Sequence, residues 1–200
     1  ALGDGAVRSA LAALEQAAAR NGTGRRHHLA HLQVVHPDDI GRFAAVDATA
    51  NLQALWAAHE PQIDELVIPF LGPQRDAMQY PFGSLARAGT RLAAGSDWPV
   101  SSADPMEAIH VAVNRATYRS ELPPLHPAQQ LSLAQIWRAY TAGSAFVNGL
   151  EERAGTIEVG KDADLIVLDA DPFAMPSTEI ARTRVRRSYV GGELAWSDGH

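Results

Sequence analysis

The first stretch of the chain shows the spacing of an amphipathic helix. Apolar side chains occur at Val7, Leu11 and Leu14 within an alanine-rich segment, and intervals of three to four residues place them on one helical face. Gly22 follows an asparagine and supplies a stop signal. The pattern therefore predicts a helix over about residues 5–20.

Strand and helix patterns then alternate up to the middle of the chain. The predicted order is a strand over 28–34, a short helix over 38–46, a strand over 47–56, a loop with helical pieces over 56–84, and a strand ending at Asp97. Long loops in compact domains are usually functional or mobile. Alternation of this kind predicts a parallel sheet built from β-α units.

The second half of the chain changes from helical to strand-like patterns. Asp104-Pro105 begins a predicted helix, and Ser132 is a candidate cap for a longer one ended by Gly149. Beyond it, "LIVL" indicates a buried strand, and "RVRRSYVGGELAWSDGH" predicts a hairpin across Gly191-Gly192. We therefore divide the chain into a domain over 1–150 and a small β unit over 151–200.

Composition narrows the class of protein. Hydrophobic residues make up 46% of the 200 positions, enough for a sizeable core. The charges, 17 basic and 23 acidic for a net of −6, include no basic block, so we expect no nucleic-acid partner. There are no cysteines and no apolar run of the roughly 20 residues that span a bilayer, and the start has no signal-peptide pattern. We expect a cytoplasmic protein without a membrane partner.

Polar residues at the ends of the predicted strands are the candidates for chemistry. The carboxyl ends of parallel strands share one face, where α/β enzymes carry their active sites. His31, Gln53 and Asp97 occupy such positions. An imidazole and a carboxylate suit a divalent metal such as zinc. A bound metal lowers the pKa of water to about 7, and a neighbouring carboxylate accepts its proton.

Each candidate also has a purely structural interpretation. Asp97 follows Gly95-Ser96 in the stretch "RLAAGSDWPVSS", where an aspartate often serves as a turn residue or a helix cap. His31 lies in a segment crowded with histidines, and a strand histidine is equally compatible with packing at the rim of a core. Pattern alone leaves both interpretations open.

Several longer stretches together resemble the C-terminal half of amidohydrolase family 3, metal-dependent hydrolases that include enzymes like N-substituted formamide deformylase. They are "HHLAHLQVVHPDDIGRFAAVDATANLQALW", "GSDWPV", "DPMEAIHVAVNR", "LSLAQIWRAYTAGSAFVNGLEERAGTIEVGKDADLIVLDADP" and "VRRSYVGGELAW". The resemblance implies an α/β fold, namely the C-terminal part of a (β/α)8 TIM-like barrel, about strands six to eight, followed by strands of a small β-sandwich.

The resemblance also assigns positions in the metal site. His31 falls on the sixth-strand histidine and Asp97 on the eighth-strand aspartate, whereas the family's fifth-strand histidine would precede Ala1. The first-strand His-x-His pair and the fourth-strand ligand have no counterpart here. We therefore expect a C-terminal segment that is inactive alone and is completed by a missing N-terminal barrel segment or by another copy in a homo-oligomer.

The activity implied for the intact protein is hydrolysis of a carbon-nitrogen bond in a small-molecule substrate, a non-peptide amide or formamide. Asp97 would act as general base and acid, His31 and Asp97 would bind the metal, with zinc expected, and Gln53, Arg75 and Tyr80 would contact substrate. One alternative is a deaminase or an imidazolone-type ring hydrolase. Another is a non-catalytic relative, since barrels can lose ligands without losing their fold.

Overall fold

The computed structural model describes residues 1–199, and His200, the last residue of the predicted β unit, lies outside the described residues. Its α-helices are α1 Asp4–Asn21, α2 Pro37–Ala45, α3 Pro61–Leu66, α4 Ile68–Asp76, α5 Phe82–Arg87, α6 Pro105–Asn114, α7 Leu133–Arg138 and α8 Ser144–Val147. Short 3-10 segments cover Ala54–Trp56, Pro127–Gln129 and Ser177–Arg182. Across residues 1–199, no helix combines the length and the apolar character needed to cross a membrane.

The first sheet is parallel, as the alternation of strands and helices predicts. It contains β1 His28–Ala30, β2 Thr49–Leu52 and β3 Leu92–Ala94, in the order β1-β2-β3. Ala30, Asn51 and Ala93 lie at the same level across the three strands. The carboxyl ends of all three strands therefore meet along one edge.

The central strand of this sheet is buried on both faces. The neighbouring residues Thr49 and Ala50 of β2 point to opposite faces and are both fully buried. Phe43 of α2, Phe82 of α5 and Ile136 of α7 belong to the same fully buried core. The middle of the sheet is thus enclosed in the way that parallel strands require, whereas His28 of β1 is exposed.

β1 is shorter than the predicted strand over 28–34. His31 and Leu32 both have positive φ angles, 71° and 56°, which interrupt the extended conformation. The chain extends again at Val34, which forms an isolated antiparallel bridge with Gln79. The alternating pattern is real, but the left-handed residues divide it into two pieces.

The predicted loop over 56–84 contains α3 and α4 and the first residues of α5. α3 and α4 follow one another closely, and α4 is kinked at Gly72, which has a φ of 68°. Pro73 inside the same helix explains why the sequence shows no sustained helical period. Helical pieces within a long connection are confirmed.

The predicted helix after Ser132 is continuous but not uniformly α-helical. Ser132 caps α7 in a capping box with Gln135, as predicted. A π-helical segment, Ala139–Gly143, joins α7 to α8, and Gly149 follows with a φ of 70°. The helix therefore runs from residue 133 to residue 147 with one wider turn in its middle.

The second sheet is antiparallel and contains β4 Leu165–Leu168, β5 Val185–Val190 and β6 Glu193–Ser197 in that order. The hairpin between β5 and β6 turns at Gly191-Gly192, which have φ angles of 57° and 85°, so the predicted hairpin is confirmed. The expectation that "LIVL" forms a buried strand is wrong, because Ile166 and Val167 are 49% and 46% exposed. The boundary at residue 150 stays a prediction.

Candidate functional site

The three parallel strands place the predicted site residues along one edge. His31 comes directly after β1, Gln53 directly after β2, and Asp97 three positions after β3. The backbone N–H of Gly95 donates to the carbonyl of Leu52 at 3.0 Å, so the pairing of β2 and β3 continues to this edge. Neighbouring strands are about 4.8 Å apart, so the backbones of β1 and β3 are separated by roughly 10 Å. Side chains from two strands at this separation can approach one ligand.

His31 is held at this edge through its backbone. Its φ of 71° lies in the left-handed region, and its side chain is partly buried. The His31 N–H donates to Oε1 of Gln53 at 2.7 Å. Nε2 of Gln53 in turn donates to Oδ1 of Asn51 at 3.0 Å. The structure therefore brings His31 and Gln53 together through a link between β1 and β2, a contact that the sequence analysis did not predict.

Asp97 lies in a turn closed by its own neighbours. Its φ is 63°, and its carbonyl accepts the N–H of Val100 at 2.8 Å. Oγ of Ser96 accepts the N–H of Trp98 at 3.1 Å, and the hydroxyl of Ser101 donates to the Ser96 carbonyl. Within residues 1–199 no donor binds the Asp97 carboxylate, and the residue is exposed. The backbone is fixed while the carboxylate stays available.

The helix after Ser132 supports this turn from behind. Oγ of Ser144 donates to the carbonyl of Ala94 at 2.8 Å, and the hydroxyl of Tyr140 lies 3.4 Å from the carbonyl of Gly95. Burial raises the pKa of Tyr140 to about 12, so the hydroxyl stays protonated and can donate. These two contacts tie the end of β3 to the π-helical part of the chain.

A close approach at Gly143 makes that support possible. A Cβ added at Gly143 would lie 2.1 Å from the carbonyl oxygen of Leu92. Only glycine allows the helix to pack this tightly on β3. The wider π-helical turn and the glycine together set the distance at which Tyr140 and Ser144 reach the strand carbonyls.

Arg75 and Tyr80, the other predicted substrate contacts, lie in different surroundings. Arg75 of α4 is exposed and its Nε is 3.3 Å from Oδ2 of Asp4. Tyr80 is 4% exposed, and its N–H donates to the carbonyl of Gln33 at 2.7 Å. Burial raises the pKa of the Tyr80 hydroxyl. Neither side chain forms a described contact with Asp97, and their role toward substrate stays a prediction.

Sequence reasoning did not single out the supporting residues. Tyr140 and Ser144 are four positions apart on a predicted helix, which is a usable signal for a shared face. Arg115, which carries no such signal, is fully buried and donates to the carbonyls of Leu125 at 2.8 Å and Tyr80 at 3.2 Å. Burial lowers the pKa of Arg115 to about 10. The hydrogen bond from Arg115 to the Tyr80 carbonyl stabilises the backbone at Tyr80.

The side chains at the carboxyl edge of the parallel sheet are of the types that bind a divalent metal, but there are too few of them for a complete site. An imidazole and a carboxylate both bind zinc, yet catalytic zinc sites use three protein ligands. In the part of the chain that the structure describes, no group of three or more histidine, aspartate or glutamate side chains is arranged to hold a metal ion. His31 and Asp97 are thus two candidate ligands, one fewer than a catalytic zinc site uses.

The structure places parallel β-α units together with a histidine and an aspartate at or near the carboxyl ends of the strands. Comparison with known families makes the class specific, because the model of the amidohydrolase family matches residues 1–195. The chain belongs to the amidohydrolase family. This confirms the resemblance inferred from the sequence motifs.

Individual relatives agree with this assignment. YtcJ of Bacillus subtilis, an amidohydrolase by name, is 30% identical over 197 residues, which cover 98% of this chain and 36% of YtcJ. The N-substituted formamide deformylase of Arthrobacter pascens is 35% identical over 117 residues, or 58% of this chain and 21% of that enzyme.

A solved structure shows the same fold. The crystal structure of an uncharacterised metal-dependent hydrolase from Pyrococcus horikoshii superposes with a TM-score of 0.73 at 28% identity, over 88% of this chain and 34% of that one. The chain thus spans about a third of the length of YtcJ and of this hydrolase.

Proposed function

We propose that this chain forms part of an enzyme that hydrolyses the carbon-nitrogen bond of a non-peptide amide or formamide. The observation that carries the proposal is the placement of His31 and Asp97 at the carboxyl ends of β1 and β3. The sequence identity of 35% to an N-substituted formamide deformylase, over 117 residues, supports an amide or formamide as the class of substrate. In this proposal β1, β2 and β3 correspond to strands six to eight of a TIM-like barrel, and β4–β6 belong to its β-sandwich.

His31 and Asp97 would hold a divalent metal, with zinc as the proposed ion, and the remaining ligands would come from residues outside this chain. When bound, the metal lowers the pKa of a coordinated water toward about 7 and polarises the substrate carbonyl. The small number of ligands within residues 1–199 is the reason for placing the others elsewhere. A missing barrel segment or a second copy of the protein would supply them.

Asp97 has the position and the freedom that a general base requires. A carboxylate oxygen of Asp97 takes the proton of the attacking water, and the same oxygen returns that proton to the leaving nitrogen. The turn around it is closed by backbone hydrogen bonds, so the carboxylate is oriented without being occupied by another donor of residues 1–199. Gln53, Arg75 and Tyr80 remain proposed substrate contacts.

The test is Asp97→Asn in the full-length protein that carries this chain. With N-benzylformamide as substrate and released formate as the readout, we expect kcat to fall by about 10²–10⁴, the usual contribution of a general base. Metal content should stay near the wild-type value because asparagine retains a carbonyl oxygen. Asp38→Asn, at an exposed position of α2, is the matched control and should keep the wild-type rate.

Other outcomes distinguish the alternatives. A near wild-type rate in Asp97→Asn would contradict the proposed proton transfer. Turnover of an imidazolone ring or release of ammonia from an aminated heterocycle, with no cleavage of the formamide, would favour ring hydrolysis or deamination. A wild-type protein that binds no metal and cleaves none of these substrates would favour a non-catalytic relative.

A further inference from the structure

We propose that Gln53 is a positioning residue for the metal site, because its side chain holds the backbone of His31 in the conformation from which the imidazole leaves the strand. This inference rests on the proposed function, since it takes His31 as a metal ligand. It gives Gln53 a role different from the substrate contact predicted from the sequence.

The hydrogen bond from His31 to Gln53 replaces one that the sheet no longer provides. β1 ends at Ala30, so the N–H of His31 lies beyond the last ladder pair with β2. Oε1 of Gln53 accepts this N–H at 2.7 Å. The bond is partly buried, and Gln53 supplies the acceptor that the end of the strand lacks.

The backbone at His31 needs this restraint because it is strained. His31 has a φ of 71° and the next residue, Leu32, has a φ of 56°. Two consecutive non-glycine residues in the left-handed region are unfavourable and persist only where their surroundings hold them. Leu32 is fully buried, so core packing holds the second of these two left-handed residues in place. The hydrogen bond to Gln53 holds the first, His31, in place.

The side chain of Gln53 is itself held in place. It can therefore restrain the backbone of His31 instead of adapting to it. It is 6% exposed, and its Nε2 donates to Oδ1 of Asn51 at 3.0 Å. A Cβ placed on Gly95 would lie 4.0 Å from that Nε2, so the end of β3 passes close to the amide. The amide is therefore held between β2 and β3 with its oxygen directed at His31.

The same geometry argues against substrate binding as the main role of Gln53. Its oxygen and one of its two N–H groups are engaged inside the protein. The oxygen keeps a second lone pair, but the amide is only 6% exposed and is already held on both sides. The effect of replacing Gln53 should therefore appear in metal affinity before it appears in KM.

The experiment measures the Kd for Co²⁺ by chelator competition, together with the visible Co²⁺ spectrum, in the full-length protein. Gln53→Leu removes the acceptor, and we expect Kd to rise about 10–100-fold with an altered spectrum, as for other outer partners of metal ligands. Gln53→Glu keeps an acceptor for the His31 N–H but loses the donor to Asn51, so its Kd and spectrum should lie closer to the wild type than those of Gln53→Leu.

Gln129 offers a matched control. Its Oε1 accepts the N–H of Ser84 at 2.9 Å, the same kind of bond at a place without a candidate ligand. Gln129→Leu should leave the Co²⁺ affinity and spectrum unchanged. An unchanged Kd and spectrum in folded Gln53→Leu, with only KM raised, would overturn the positioning role and favour a substrate contact.

Hydrogen exchange of the His31 amide in the wild-type protein gives a readout that depends on no variant. Slow exchange in the metal-free protein is expected if Gln53 holds this N–H. Exchange at the rate of an exposed loop would overturn the inference even if no Gln53 variant folds. Absence of metal binding by the wild type would instead contradict the proposed function, so the two failures are distinguishable.

Discussion

The parallel and antiparallel sheets of this chain are built from similar apolar strand patterns but have very different surroundings. In β2, Thr49, Ala50 and Leu52 are fully buried. In β4 and β6, Ile166 and Leu194 are 49% and 56% exposed. The helices that follow the parallel strands cover that sheet, whereas apolar positions of the antiparallel sheet remain open to solvent.

The difference shows why the candidate chemistry lies on the parallel sheet. His31 and Asp97 both have left-handed backbones at its carboxyl edge. Such conformations persist only where packing and hydrogen bonds hold them. The covered sheet and the helix behind β3 provide this support, through Gln53 on one side and Ser144 on the other.

The largest expected effect comes from making the same substitution in both sheets. Leu52→Ala in β2 removes a fully buried side chain and should destabilise the chain by about 2–5 kcal/mol. Leu194→Ala in β6 removes a side chain that is 56% exposed and should change stability by no more than about 0.5 kcal/mol. Urea unfolding of both variants measures the difference. Equal losses would mean that the antiparallel sheet is as well covered as the parallel one.

A smaller effect is expected where the helix supports β3. Gly143→Ala would place a Cβ against the carbonyl of Leu92, and we expect overpacking to cost about 1–3 kcal/mol. Gly41→Ala in α2 meets nothing within 4 Å and should stabilise the helix by about 0.5–1 kcal/mol. Opposite shifts of the urea midpoint would confirm the close contact at β3. A stabilised Gly143→Ala would show that the helix can move away without cost.

The smallest expected effect lies at the junction between the two regions. His110 of α6 is buried beside Tyr118, and Asn114 of the same helix donates to the carbonyl of Ser177 in the segment leading to β5. Burial lowers the pKa of His110 below its usual 6.5, although the charge of Glu179 opposes this.

The sign of the resulting pH dependence follows from that lowered pKa. Below 6.5 the unfolded chain binds the proton more readily than the folded chain, so stability is lost as pH falls from 6.5 toward the folded pKa. His110→Gln should lose less stability over this interval than the wild type when urea midpoints are compared. His27→Gln, at an exposed position, is the control. A His110→Gln curve parallel to that of the wild type would place the titration elsewhere.

Much of the parallel region could be predicted from the sequence. The apolar spacing located α1, cap and stop signals located α6 and the helix after Ser132, and the alternation of elements predicted the parallel sheet. These features follow from local spacing, which decides which face of an element is buried. The strand-end positions of His31, Gln53 and Asp97 were predicted for the same reason.

The supporting contacts could not be predicted, because they join residues far apart in the chain. Arg115 is a charged residue with no sequence signal, yet it is fully buried against the carbonyls of Tyr80 and Leu125. The π-helical turn that brings Ser144 to Ala94 depends on the fit of Gly143 against β3. The exposure of Ile166 depends on what packs over its strand, which its own apolar neighbours do not reveal.

By itself the sequence determined the order of helices and strands and placed His31, Gln53 and Asp97 at or near the ends of parallel strands, because both follow from short-range signals, whereas the exact strand ends did not follow from it. Only the tertiary structure decided how those residues are held. The left-handed backbone of His31, its bond to Gln53 and the closed turn at Asp97 arise from contacts between separate β-α units. Such contacts form once the sheet is assembled, since packing and hydrogen bonding across strands then outweigh the local preference for an extended chain.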